Sequence, residues 1–172
     1  MSILEILVWP DDRLEVEAEP IAEVTAEMQQ LGADLLETMY AARGIGLAAT
    51  QVNRHHRMIV VDLNGDEPED RNPALGPYIM INPEIIEREG HILFEEGCLS
   101  VPGETGEVER SAWIAVDFKG PDGTQYQLEA EGLLSVCVQH EIDHLNGVVF
   151  PERLKSHERA RIRRAMRQYK PA

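Results

Sequence analysis

Apolar positions follow two different periods along this chain. Within residues 24–43, Met28, Leu31, Leu35 and Met39 recur every three or four positions, which predicts an amphipathic helix facing a core. The pattern changes at residues 57–63, where the β-branched run Ile59-Val60-Val61 predicts a short strand. Residues 78–82, 85–94 and 107–118 read as further strands, and Pro121-Asp122-Gly123 turns the last of these into 124–128 as a hairpin. Residues 133–145 form a mostly apolar helix with a natural stop near Gly147. Residues 155–170 are expected to form a final helix. The acidic stretch 64–76, with two prolines and two glycines, reads as a loop too short to link domains. Helices set apart from a run of strands predict an α+β architecture, and 172 residues suit one domain spanning 1–172.

Charge adds an asymmetry to this picture. The formal net charge of −15 argues against general nucleic-acid binding and specific DNA recognition. Yet eight of the sixteen basic residues and a single acid, Glu158, fall in 153–170, a local +7 that leaves −22 on the remainder. A basic tail on an acidic body marks a docking element or, equally, a surface helix that pairs with its own body. No apolar run is long enough to span a membrane. The first residues lack the basic front end and small-residue cleavage site of a signal peptide. Two cysteines do not make a disulfide framework, and a cytoplasmic location is expected.

The chemistry concentrates in Gln139-His140-Glu141-Ile142-Asp143-His144. On a helix, His140 and His144 stack on one face and can reach one metal ion, while Glu141 can contact an attacking water. The plain alternative is a solvated helix with two ordinary histidines. Against it stand the apolar run before the motif and a candidate third ligand upstream. A histidine six residues past His144 would mark one known class of metallopeptidase, but Phe150 occupies that place. Glu152 and Glu158, the only later acids, lie in or beside the basic tail. Cys137 and His144 would be about 10 Å apart along a helix rising 1.5 Å per residue, too far to share one ion. Cys137 therefore reads as a buried, pocket-lining residue. Cys98 remains, between Gly97 and Pro102 where a strand is expected to end irregularly. Alone it would read as a small buried hydrophobe, and the lack of another good third ligand tilts the balance towards coordination. The glycine-rich segment 44–52 matches a dinucleotide fingerprint, but it follows a helix rather than a strand. Its small residues let the backbone lie close to a ligand, with Gln51 offering an amide donor, or else they form a plain tight turn.

Taken together, Gly44 to Gln51, Gly97 to Ser100 and Gln139 to His144 resemble the three signature segments of peptide deformylases. The segments stand in that family's order, the similarity runs over nearly the whole chain, and the bacterial type with a helical C-terminus fits best. The resemblance implies antiparallel strands packed around a central metal-binding helix, with N-terminal and C-terminal helices. It implies removal of the formyl group from the N-terminal formylmethionine of nascent polypeptides, with release of formate. It assigns Cys98, His140 and His144 as metal ligands and Glu141 as general acid/base. Gln51 and the Leu99 backbone N–H become donors to the developing oxyanion. One divalent metal ion per chain is implied, Fe(II) being expected, while zinc, nickel or cobalt can occupy the same ligands. Ile45, Gly46, Glu96, Leu133, Val136 and Cys137 match the pocket for the methionine side chain. The basic helix at 153–170 fits ribosome docking, since ribosomal RNA is polyanionic. Two stretches depart from the family: Gly103-Glu104-Thr105-Gly106, where relatives often carry a basic side chain, and Pro151-Glu152 before the final helix. The rival readings are a metal-dependent endopeptidase and a non-enzymatic metal-binding or ribosome-interaction protein.

Overall fold

The computed structural model describes residues 2–65 and 69–171, so part of the loop expected at 64–76 lies outside the described residues. Helix α1 (Ala26–Ala41) starts where the Thr25 hydroxyl accepts the Met28 N–H at 3.2 Å. Met28, Leu31, Leu35 and Met39 form its buried face, packed with Leu47, Met58, Val60 and Ile81. Seven strands follow: β1 (Gly46–Ala48), β2 (Met58–Val61), β3 (Tyr78–Glu89), β4 (Ile92–Cys98), β5 (Val101–Arg110), β6 (Trp113–Lys119) and β7 (Gln125–Glu131). Five of them make an antiparallel sheet in the order β1-β2-β3-β6-β7, while β4 and β5 form a separate hairpin. With helices α2 (Gly132–Leu145) and α3 (Ser156–Gln168), the architecture is α+β.

Strand boundaries differ from the periodicity in ways that backbone chemistry explains. The two strands expected at 78–82 and 85–94 are one strand, β3, interrupted by register shifts between Ile81 and Glu87. Asn82 adopts a positive φ there, and its side chain holds both Ile21 backbone groups at 2.8 and 2.7 Å. Such an irregularity is where a strand tolerates Pro83. Gly90, at φ 69°, then turns the chain into β4, so the expected 85–94 strand is divided. The expected strand 107–118 also divides, because the chain leaves the hairpin after Arg110 and enters the five-stranded sheet at Trp113. No glycine or proline marks that crossing, so it leaves no sign in the sequence. Strand β1, only three residues long, carries no period to read.

Helix α2 is buried from Leu134 to Leu145. Leu134, Val138, Ile142 and Leu145 pack against Ile59, Val61, Met80, Ile114 and Val116 of the sheet. Its C-terminus closes as the sequence predicts, with Gly147 N–H donating to His144 O at 3.1 Å and Val148 N–H to Asp143 O at 2.9 Å. Arg57 reaches over to donate to Leu145 O at 3.1 Å, placing a cation at the negative end of the helix. A third cluster joins Leu7 and Trp9 to Val101 and Val108 of the hairpin and to Ile162 and Met166 of α3. Hence α3 lies against the hairpin, with Arg161 paired to Glu104 at 3.1 Å and Arg163 stacked 4.8 Å from the Trp9 ring centre. No helix among the described residues is long and apolar enough to cross a membrane.

Candidate metal centre and substrate pocket

One helical turn separates His140 from His144, and their ring centres lie 5.1 Å apart on the face of α2 that meets the hairpin. Cys98 arrives opposite them. A register shift between Gly97 and Cys98, followed by the two-residue turn Leu99-Ser100, carries its sulfur towards α2. One ligand atom each from Cys98, His140 and His144 lies within 4.8 Å of the others, with Cys98 Sγ 3.3 Å from His144 Nε2. A sulfur and two imidazoles this close are a donor set for a divalent transition metal, and the residues fit such an ion. Burial, with the charges of His140 and Arg110, holds the His144 imidazole well below its usual range, in the neutral form that ligates. Cys137 takes no part in this group; it is buried in the pocket wall, and burial pushes its thiol up.

His140 Nδ1 lies 2.9 Å from Glu96 Oε1. Burial raises the Glu96 carboxyl, but the Arg110 fork and His140 outweigh it and keep the group below its usual range. An ionised carboxylate only accepts, so Nδ1 carries the proton and Nε2 is left for the cluster. Gln51 sits on a 3-10 turn (Ala49–Val52) immediately behind Cys98. Its Oε1 accepts the Ala48 N–H at 2.9 Å, while Nε2 donates to Ser100 Oγ at 2.9 Å and approaches Cys98 Sγ at 3.5 Å. Ser100 N–H also points at that sulfur, at 3.4 Å.

Glu141 is 4 % exposed, and its Oε1 is buried with no hydrogen-bond partner among the described residues. Burial raises its carboxyl to about 7, although the neighbouring His140 opposes the shift. Across from it, a Cβ on Gly46 would stand 2.5 Å from Glu141 Oε2 and 2.8 Å from Cys137 Sγ, so the backbone of β1 passes where no side chain fits.

These groups edge a pocket of about 550 Å³ between β1, α2 and the hairpin. Val136 and Cys137 form buried wall, whereas Ile45 and Leu133, 38 % and 39 % exposed, stand at its mouth. Gly46, Glu96 and Leu99 also line it, and the Leu99 side chain covers Gly44 so closely that a Cβ there would meet it at 2.7 Å. Gln51 and His144 lie behind Cys98 rather than on the pocket wall. Sequence reasoning missed Ser100, Arg110, Asp143 and Arg153. Two of these carried a signal: alternation along β5 turns Arg110 inward beside Val108, and helical spacing buries Asp143 within the motif. Inward charges require partners.

A metal-binding cluster beside a buried carboxyl and an apolar pocket defines a metal-dependent hydrolase. The comparisons narrow the class. The family model for polypeptide deformylase matches residues 3–160. A peptide deformylase of Chromobacterium violaceum is 46 % identical over 168 residues, covering 98 % of this chain and 96 % of that protein. The crystal structure of a peptide deformylase from Legionella pneumophila superposes with a TM-score of 0.89 at 40 % identity, covering 96 % of this chain and 94 % of that one. That of Ehrlichia chaffeensis in complex with actinonin gives 0.90 at 38 % identity, covering 99 % and 100 %. This chain belongs to the polypeptide deformylase family.

Proposed function

We propose that the chain removes the formyl group from the N-terminal formylmethionine of nascent polypeptides, releasing formate and a free amine. The observation that carries the residue roles is Glu141. It is a buried carboxyl with one oxygen unpartnered, set between the Cys98/His140/His144 cluster and an apolar pocket. Held by those three side chains, a divalent ion supplies Lewis acidity and makes water acidic enough to react near neutral pH. Glu141, poised near 7, takes a proton from the water that attacks the formyl carbon. Charge then builds on the formyl oxygen, where Gln51 Nε2 and the Leu99 N–H donate. As the C–N bond breaks, Glu141 returns the proton to the leaving nitrogen. Val136, Cys137, Ile45 and Leu133 receive the methionine side chain, with Gly46 and Glu96 completing the wall.

The direct test is release of formate from a formylated methionyl peptide by protein of measured metal content. Turnover with about one ion per chain is expected. Cleavage of unformylated peptides without formate release would favour the endopeptidase reading instead. Fe(II) is the proposed ion, and a thiolate-ligated iron is open to oxidation at metal and sulfur. Activity should therefore decay in air and persist after nickel substitution. A zinc-loaded preparation of full, air-stable activity would count against iron.

A further inference from the structure

Between the metal centre and the turn that leads into α3 runs an unbroken line of alternating charges. His140 Nδ1 meets Glu96 Oε1 at 2.9 Å. Arg110 forks onto the same carboxylate, Nε to Oε2 at 2.7 Å and Nη2 to Oε1 at 2.9 Å. Its remaining nitrogen, Nη1, donates to Asp143 Oδ2 at 2.6 Å. Arg153, on the 3-10 turn Phe150–Arg153, closes the line with a second fork onto Asp143, at 2.5 and 2.7 Å. The Glu96 and Arg110 side chains are 2 % and 3 % exposed, Asp143 12 %, and Arg153 44 %. The deformylation chemistry uses none of Arg110, Asp143 or Arg153.

We propose that Arg153 is a positioning residue for His140, acting through Asp143, Arg110 and Glu96. The proposal rests on His140 being a metal ligand. Arg110 serves two carboxylates that compete for one guanidinium. Because Arg153 occupies both Asp143 oxygens, Arg110 can commit its fork to Glu96. Without Arg153, Asp143 keeps only its bond to Arg110 Nη1 and draws that side chain away from Glu96. Glu96 fixes the tautomer and plane of the His140 ring, so the loosening ends at the ligand. The other basic groups lining the cleft beside Asp143 are engaged elsewhere: Arg88 donates to Gln139 Oε1 at 3.2 Å, and His91 Nδ1 lies 3.0 Å from Glu109 Oε1. Arg153 lies half in solvent but forks onto an Asp143 side chain only 12 % exposed. Its removal should therefore lower the melting temperature as well as loosen the metal, and the two effects are separated by a control of equal Tm.

The test compares wild type, Arg153→Met and Arg153→Lys in the full chain loaded with Co(II). Cobalt loss to EDTA, the cobalt absorption bands, the Tm and the split between kcat and KM are measured for each. Arg153→Met should lose cobalt about tenfold faster than wild type, with shifted bands, lowered kcat and unchanged KM. Arg153→Lys, which keeps the charge without the fork, should fall between the two. A wild-type rate of cobalt loss and an unchanged spectrum in Arg153→Met would overturn the proposal. So would equally fast loss from a variant of equal Tm whose substitution lies outside this line of residues and outside the ligand set. A wild-type protein that takes up no stoichiometric cobalt would instead overturn the metal-centre reading itself.

Discussion

At the scale of single residues, Glu141 is proposed to react, while Gly46 leaves it room by having no side chain. Glu141→Ala leaves the three ligands in place, so stoichiometric metal should be retained while turnover falls at least about 100-fold, the usual worth of a positioned acid/base. Elemental analysis alongside a formate assay checks both halves. Near-wild-type turnover by the metal-loaded variant would sink the assignment. Gly46→Ala forces a methyl against Glu141 Oε2 and Cys137 Sγ, in a place closed on both sides. Destabilisation of about 1–3 kcal/mol, with a larger loss of kcat/KM than of Tm, is expected from denaturation and kinetics run together. Much at this scale was legible. The spacing of His140 and His144 placed both on one face, and elimination among candidate ligands led to Cys98. The partners of those residues were not legible, because Arg110 lies in another element and its pairing with Glu96 depends on how the hairpin folds back.

Elements show the converse. Period located α1 and α2 well, and Gly147 marked where the second closes, whereas the Thr25 cap that opens the first was not read from the sequence. Gly147 sits at φ 78°, and an added Cβ would run into the Glu15 backbone. Gly147→Ala should therefore cost about 1 kcal/mol or more in chemical denaturation, with kcat unchanged at temperatures where the protein stays folded. A variant of wild-type stability would show that the helix end can reseat. Strands were read less well, because a change of sheet needs no glycine or proline. Residues 107–118 carry neither at the crossing at Ser111-Ala112, and only tertiary pairing divides them. The turn that aims Cys98 is likewise invisible to periodicity, since it arises from a one-residue shift in pairing.

Across the whole molecule, the charge asymmetry resolves into two populations. Arg161 pairs with Glu104 and Arg163 stacks on Trp9, so part of the basic tail serves its own body. Arg159, Arg164 and Arg167 share one surface of α3. That surface is proposed to meet ribosomal RNA. Arg164→Glu with Arg167→Glu spares the buried Ile162 and Met166 and should weaken co-sedimentation with ribosomes, most visibly at low salt. Formate release from a free peptide should be unaffected. Undiminished co-sedimentation would return the helix to a purely structural role.

The start of the chain bears on when the protein becomes an enzyme. Leu7 N–H donates to Gln51 O at 2.7 Å and Trp9 N–H to Ser100 O at 2.8 Å, so residues near the first end tie down two segments of the centre. The histidines come from α2, far along the chain, and Arg153 lies later still. Such contacts close long loops, whose entropy must be met before the contacts reward it. The centre is thus an end product of folding: a chain halted before α2 owns the strap and the thiol but no imidazoles. Formate release should appear as a single step once α2 and the turn Phe150–Arg153 are present, rather than growing by degrees as truncated chains are lengthened.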